Sequence, residues 1–261
     1  MALADEFDGL LIDLDGVVWI GREPVPGSPE TLQALLESGK ELVFVTNNPS
    51  RRPARYAERL GEMGVDVAPE RIVTAGIVAA RLAGEAAGRG GSAFVIGATA
   101  LKEMVAESGA ALVDGEAARA ADVVVVSGHR GFDYEELLTA KLALDAGAAL
   151  VATSHDPTMP MPGGAWPGTG AVLAAVETAS GRSARIGGKP ERPLFEMAVE
   201  AIGRPRRVAM VGDRIASDID GGRAAGLATV LVLTGSSSRE DAETAQPPAD
   251  HVLDSLAGLL R

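Results

Sequence analysis

Short apolar runs alternate with helical patterns along almost the whole chain. Runs rich in β-branched and aliphatic residues fall near 8–13, 41–46, 93–97, 121–126, 148–152, 207–211 and 228–233, and each reads as a strand. Between them, apolar residues at helical spacing predict helices near 28–38, 51–63, 76–88, 98–108, 133–145, 170–180, 191–203 and 216–226. Leu32, Leu35 and Leu36 share one helix face, and Gly39 follows as a stop. Phe195, Ala198, Val199 and Ile202 repeat the pattern and end at Gly203. Alternation of this kind predicts βαβ units and a parallel sheet. The Ser-, acid- and Pro-rich segment from Gly235 to Pro248 reads as an exposed loop carrying a short helix. No fixed-period repeat interrupts the pattern.

Composition narrows the picture. With 261 residues the chain holds one large domain or two modest ones. Apolar residues make up 46% but aromatics only 3%, so the core must be mostly Ala, Val, Leu and Ile. A formal charge of −12 disfavours a nucleic acid or an anionic membrane as partner. The chain has no cysteine, so disulfides and thiol chemistry are excluded, which fits a cytoplasmic protein. Residues Met1 to Glu6 have no basic region and do not read as a signal peptide. Apolar runs such as Leu227 to Leu233 fall far short of the ~20 residues needed to span a bilayer, so a soluble protein is expected.

The chemistry concentrates first at Asp13-Leu14-Asp15-Gly16, directly after the apolar run Leu10-Leu11-Ile12. Two carboxylates two positions apart on an extended segment point to the same side. They repel, and a divalent cation would relieve the repulsion. A carboxylate beside a metal can be a nucleophile, and its neighbour an acid or base. A calcium loop of the EF-hand type does not fit, because Val17, Val18 and Pro24 stand where that loop needs polar, Gly and Glu residues. An exposed Asp-Gly turn after a strand is the plain alternative.

Three further polar clusters sit at or just past the ends of expected strands: Thr46-Asn47-Asn48, Gly187-Gly188-Lys189-Pro190, and Gly212-Asp213-Arg214 with Asp218 five residues after Asp213. Parallel α/β sheets bind ligands outside the carboxyl ends of their strands, so four such clusters point to one site assembled from distant sequence. Only four lysines occur against twenty arginines, which makes Lys189 stand out.

The ordered set Asp-Leu-Asp-Gly, Thr-Asn-Asn, Gly-Lys-Pro and Gly-Asp-Arg-x-x-Ser-Asp resembles the haloacid dehalogenase (HAD) superfamily of phosphotransferases. The insert between the second and third clusters resembles the C2-capped, NagD-like branch, and the likeness runs essentially end to end. It takes in Pro24-Val25-Pro26-Gly27 and Pro167-Gly168-Thr169-Gly170. The resemblance implies an α/β fold: a Rossmann-like core with a parallel sheet, formed by 1–75 and 184–261, and an inserted α/β cap of the C2 type over 76–183. It implies Asp13 as nucleophile, Asp15 as acid and base, and Lys189 as the cation facing the transferring phosphoryl group. It implies Mg²⁺ held by Asp13, Asp213 and the main-chain carbonyl of Asp15, with Asp218 orienting Lys189 or a metal-bound water. Capping of a following helix is the plain alternative for Asp218. Thr46, Asn47 and Asn48 would meet the phosphoryl oxygens, with a turn after the strand as their plain alternative.

The expected activity is Mg²⁺-dependent hydrolysis of a small-metabolite phosphate ester through an aspartyl-phosphate, in a chain that could pair as a homodimer through the cap. The rivals are a phosphotransferase or phosphomutase sharing the intermediate, and a non-catalytic module binding a phosphate ligand. Such a module would be expected to lose Asp15 or Lys189, and both are present. In the cap, members of the branch show Thr-Asn-x-Asp where this chain has Thr153-Ser154-His155-Asp156. The departure at Ser154 singles out the Pro- and Gly-rich segment Ser154–Trp166, with His155, Asp156, Met159, Met161 and Trp166, as the expected substrate-selecting loop. Gly168-Thr169-Gly170 is expected to open a helix, with no strand ahead of it.

Overall fold

The computed structural model describes residues 2–161 and 164–261. The chain divides into two compact units. The first comprises 1–46, 53–73 and 189–261, and the second comprises 47–52 and 74–188. The sequence placed the boundaries at 76 and 183; the division falls at 74 and 188, and it also assigns 47–52 to the second unit.

The first unit is built on a six-stranded sheet. Its strands lie in the order His251–Leu253, Ala228–Val232, Val208–Gly212, Gly9–Asp13, Glu41–Thr46 and Ile72–Thr74. Chain order therefore runs outward from Gly9–Asp13 in one direction, then returns to its other side and runs outward again. Gly9–Asp13 and Val208–Gly212 are thus the pair at which the winding reverses. Doubly wound sheets open a crevice at that point, outside the carboxyl ends of the strands. Every residue of these two strands is buried. Burial on both faces explains why they read as unbroken apolar runs rather than alternating ones. Leu10, Ile12, Phe44, Ala209, Val211 and Val230 meet in one core with Leu32 and Leu35 of the helix Ser28–Glu37.

The second unit carries its own parallel sheet, in the order Arg185–Ile186, Ala149–Ala152, Val123–Val126, Ser92–Ile96 and Ala111–Leu112. Ile96, Val124, Val126, Leu150, Leu173 and Val176 form its core. Local signals start its helices. Thr74 Oγ1 accepts from Ile77 N at 3.2 Å ahead of the helix Ala75–Ala87, and Asp133 Oδ1 accepts from Glu136 N at 2.9 Å ahead of Tyr134–Asp145.

Two expectations need correction. The segment from Ser154 to Trp166 is not irregular: Thr158–Met161 and Gly164–Pro167 pair as an antiparallel hairpin, with Met159 opposite Trp166. A strand therefore does precede Gly168, contrary to the expectation, and the helix Thr169–Ser180 starts directly after it. The prolines misled because, among the described residues, this hairpin pairs with no further strand, so a residue without an N–H is tolerated there. Pro162 and Gly163, at its tip, lie outside the described residues, as do the side chains of Pro160 and Met161. Among the described residues, no helix is long and apolar enough to cross a membrane.

Candidate active site

Strand register sets the site. Ile12 pairs with Val211, so Asp13 is level with Gly212 and Asp213 lies one step beyond. On the other side Asp13 pairs with Val45, and Thr46 follows as the buried last residue of its strand. Lys189 comes directly after the insert and places its Nζ 2.6 Å from Asp13 Oδ1 and 2.6 Å from Asp218 Oδ1. Asp13, Lys189, Asp213 and Asp218 are all buried. Oxygen atoms of Asp13, Asp213 and Asp218 lie within 4.8 Å of one another.

Asp218 belongs to a π-helical turn, Ile215–Ile219, and its Oδ2 accepts from Arg214 N at 3.0 Å. It sits inside the turn and is not the N-cap of the helix Asp220–Ala224, whose N-cap is Ile219. Its carboxylate is divided between this backbone amide and Lys189. Gly212 makes room for it, because a Cβ there would come 2.3 Å from that of Asp218. Asp213 Oδ2 accepts from Ser236 N at 2.6 Å. Gly16, at φ +89°, passes so close that a Cβ would come 2.5 Å from the same oxygen. That backbone conformation and that approach both demand glycine. Thr234 Oγ1 ties the turn down by donating to Gly16 O at 2.6 Å.

The electrostatics are those of a crowded acidic pocket. Burial pushes the Asp13 carboxyl up; Lys189 opposes the rise, while Asp218 and Asp213 add to it. Burial pulls the Lys189 ammonium down, but the charges of Asp13 and Asp218 outweigh it and hold the group above the usual lysine range. Burial, then the Asp218 charge, raises Asp213. One lysine faces three carboxyl groups, and two of these, Asp13 and Asp213, are pushed toward the neutral form.

A divalent cation fits this donor set. Among the described residues Asp213 Oδ1 is buried without a hydrogen-bond partner, an uncompensated acceptor that an oxygen-seeking ion would satisfy. Asp13 and Asp213 supply two carboxylates, enough for Mg²⁺, which keeps several waters.

The remaining expected residues fall as follows. Asp15 is exposed, and its Oδ1 accepts from Trp19 Nε1 at 2.9 Å. Asn47 and Asn48 belong to the second unit. There Asn47 Nδ2 donates to Asp156 Oδ2 at 3.1 Å. Asn48 Oδ1 accepts from Ser50 N at 3.0 Å and Ser50 Oγ at 2.6 Å, which makes it a local turn former. His155 is exposed in the same segment. Trp166 packs under the Arg130 guanidinium, whose carbon is 4.3 Å from the ring centroid. Sequence reasoning did not find the contacts of Ser236, Thr234 and Trp19. Ser236 acts through its backbone amide and carries no side-chain signal; Trp19 lies four residues after Asp15, and only the turn between them reveals the contact.

Such a site on such a sheet has relatives. The family model described as "Haloacid dehalogenase-like hydrolase" matches residues 10–111, and "HAD-hyrolase-like" matches 186–259. The chain belongs to the haloacid dehalogenase-like hydrolases. D-glycerol 3-phosphate phosphatase of Mycobacterium tuberculosis is 40% identical over 246 residues, which is 94% of this chain and 68% of that protein. The crystal structure of glycerol phosphate phosphatase from Mycobacterium tuberculosis in complex with magnesium superposes with a TM-score of 0.91 at 37% identity, covering 100% of this chain and 78% of that one. NagD from Escherichia coli K-12 superposes with a TM-score of 0.87 at 29% identity, covering 96% of this chain and 97% of its own. The chain thus falls in the NagD-like branch of the family.

Proposed function

We propose that this chain is a Mg²⁺-dependent phosphatase that hydrolyses phosphate monoesters of small metabolites through an aspartyl-phosphate at Asp13. The observation that carries the reading is the buried cluster in which Lys189 bridges Asp13 and Asp218 while the carboxylates of Asp13 and Asp213 stand within 4.8 Å of each other. The phosphatase names of its relatives support it.

Asp13 and Asp213, with the main-chain carbonyl of Asp15, would hold the ion. When bound, it neutralises the acidic pocket and draws charge from the phosphoryl oxygens. A carboxylate oxygen of Asp13 attacks phosphorus, and the bond from phosphorus to the ester oxygen breaks. Asp15 gives its proton to the departing oxygen. In the second step Asp15 takes a proton from water, the water oxygen attacks phosphorus, the bond to Asp13 breaks, and inorganic phosphate leaves. Lys189, held by Asp218, keeps a positive charge beside Asp13, where negative charge grows in both steps. Thr46, at the neighbouring strand end, and Asn47 are the expected contacts of the phosphoryl oxygens. Asp156, which holds Asn47, and His155 are the cap residues expected to select the leaving group.

Phosphate release from p-nitrophenyl phosphate with and without Mg²⁺ tests the reading, together with acid quenching of the enzyme during turnover. Metal-dependent release and a hydroxylamine-labile phosphate on the protein are expected. Full activity after EDTA, or no protein-bound phosphate, would overturn it. A screen of phosphorylated metabolites ranked by kcat/KM then identifies the substrate. In that screen His155→Ala and Asp156→Ala should change the ranking while p-nitrophenyl phosphate is largely spared; one common factor for all esters would remove them from substrate selection. The same reading expects a cytoplasmic enzyme, with pairing through the cap checked by sedimentation.

A further inference from the structure

Trp19 is fully buried, and its one polar side-chain atom is spent on Asp15: the indole N–H donates to Asp15 Oδ1 at 2.9 Å. The ring is packed on both sides of its hydrogen bond. Tyr56 stacks on it, with centroids 6.5 Å apart and planes 4° from parallel. The Arg59 guanidinium carbon lies 3.9 Å from its centroid, and Arg59 Nη2 is anchored on Gly21 O at 2.7 Å. The backbone fixes the distance between the partners. Gly16 N donates to Trp19 O at 2.7 Å, and Trp19 N donates to Leu14 O at 3.2 Å. Asp15, by contrast, is exposed and short, with rotamers open to it on its own.

The geometry points to Trp19 as a positioning residue for Asp15: a buried indole N–H takes one carboxylate oxygen and leaves the other to exchange the proton with the leaving group. The inference rests on the proposed role of Asp15 as acid and base, and it gives the packing around Trp19 a purpose. A proton donor must be held within hydrogen-bond reach of the oxygen it serves, and a small displacement costs rate steeply. Packing alone would be met by any large aromatic ring. A buried indole also needs a partner for its N–H, so the contact by itself does not separate the two roles. The leaving group does.

Phenyl phosphate and p-nitrophenyl phosphate share a ring and differ in how much the departing oxygen needs a proton. Trp19→Phe keeps an aromatic ring and removes the N–H. Its kcat/KM should fall about tenfold on phenyl phosphate and less than about threefold on p-nitrophenyl phosphate, a fraction of the ~10²–10⁴ that general acid catalysis supplies. Equal losses on both esters, or no loss on either, overturn the inference. Protein carrying 3-benzothienylalanine at position 19, in which sulfur replaces the N–H at nearly the same shape, is read in the same way and stands in if Trp19→Phe does not fold. Asp15→Asn separates the two layers. It should show the same selective loss, enlarged. If it does not, the reading of Asp15 fails; if it does and neither change at Trp19 follows it, the positioning role of Trp19 alone is overturned.

Discussion

The two compact units are built alike and bury opposite kinds of chemistry at their strand ends. Each has a parallel sheet with polar residues just past its central strands. In the second unit these are Ser127 after Val123–Val126 and Thr153 after Ala149–Ala152, joined by Thr169 at the start of its helix. Thr153 Oγ1 donates to Ser127 Oγ at 3.2 Å and lies 3.3 Å from Thr169 Oγ1, which accepts from Gly128 N at 3.0 Å. These groups are neutral and satisfy one another. In the first unit Asp13 and Asp213 end their strands beside Asp218 and Lys189, three carboxyl groups and one ammonium, and among the described residues Asp213 Oδ1 has no hydrogen-bond partner. Buried hydroxyls that pair are cheap to keep, whereas surplus buried carboxylates are costly until a cation arrives. One edge is complete as folded. The other gathers carboxylates that a cation would compensate, and that difference, more than the fold, marks where chemistry happens.

The sharpest way to break this contrast is at Asp13. Asp13→Asn keeps the shape and removes both the nucleophile and a ligand for the ion. Turnover should fall by at least about 10⁴-fold, as when a residue that acts in a catalytic unit is removed, with far-ultraviolet circular dichroism unchanged. Ordinary turnover by that variant would show that the acidic edge is structural only.

Lys189 comes next. Lys189→Met fills a similar volume and leaves Asp13 and Asp218 facing each other uncompensated. Breaking a buried ion pair from one side costs about 3–5 kcal/mol, so the urea midpoint should drop sharply. Turnover should fall by on the order of 10²–10³-fold through loss of the charge beside the phosphoryl group. A variant as stable as the parent would mean that Lys189 is not what holds the carboxylates together.

Asp213 gives a pH signature of the acidic edge. Its carboxyl is raised by burial and by Asp218, so the folded protein holds a proton that the unfolded chain, near the ordinary value of ~4, has already released. The stability tied to that proton is present below the unfolded value and is lost as pH rises through the folded one. In metal-free buffer Asp213→Asn should therefore gain stability over the parent as pH rises through that window. With Mg²⁺ the order should reverse, because the parent keeps its ligand. Parallel pH profiles for the two proteins would contradict the shift.

Much of this contrast was legible in the chain because both sheets bury their central strands on two faces. Leu10-Leu11-Ile12 and Val208 to Val211 are unbroken apolar runs for that reason, and the polar residue that ends each run is conspicuous. Asp13 and Asp213 could be singled out in this way, and Lys189 by the scarcity of lysine and its Gly-Gly-Lys-Pro setting. The strands that escaped notice are short or lie at edges: Trp19–Ile20 with Glu23–Pro24, Ala111–Leu112, Arg185–Ile186, Ile72–Thr74 and His251–Leu253. Two or three residues carry no period to detect. The amide of Ser236 on Asp213 and the indole of Trp19 on Asp15 escaped for a different reason: both depend on where a turn delivers an atom, not on a spacing in sequence.

The smallest effect belongs to the neutral edge. Thr153→Val preserves shape and removes the hydroxyl that bridges Ser127 and Thr169. Loss of one satisfied buried hydroxyl should cost about 1–2 kcal/mol, within the range for a hydrogen bond whose partners stay buried. Ser127 and Thr169 keep other recourse: Thr169 Oγ1 still accepts from Gly128 N, and a hydroxyl can rotate to a new acceptor. The double variant Ser127→Ala with Thr153→Val should therefore lose less than the sum of the two single changes, because removing both partners leaves fewer unpaired groups than removing one. Neither variant should respond to Mg²⁺ differently from the parent, and kcat/KM on p-nitrophenyl phosphate should stay within about twofold, the scatter expected where no interaction with the transition state is lost. Additive losses would mean that the three hydroxyls act independently. A metal-dependent change in the stability of Thr153→Val would show that the neutral edge, too, responds to a cation, and the distinction between the two sheets would fall.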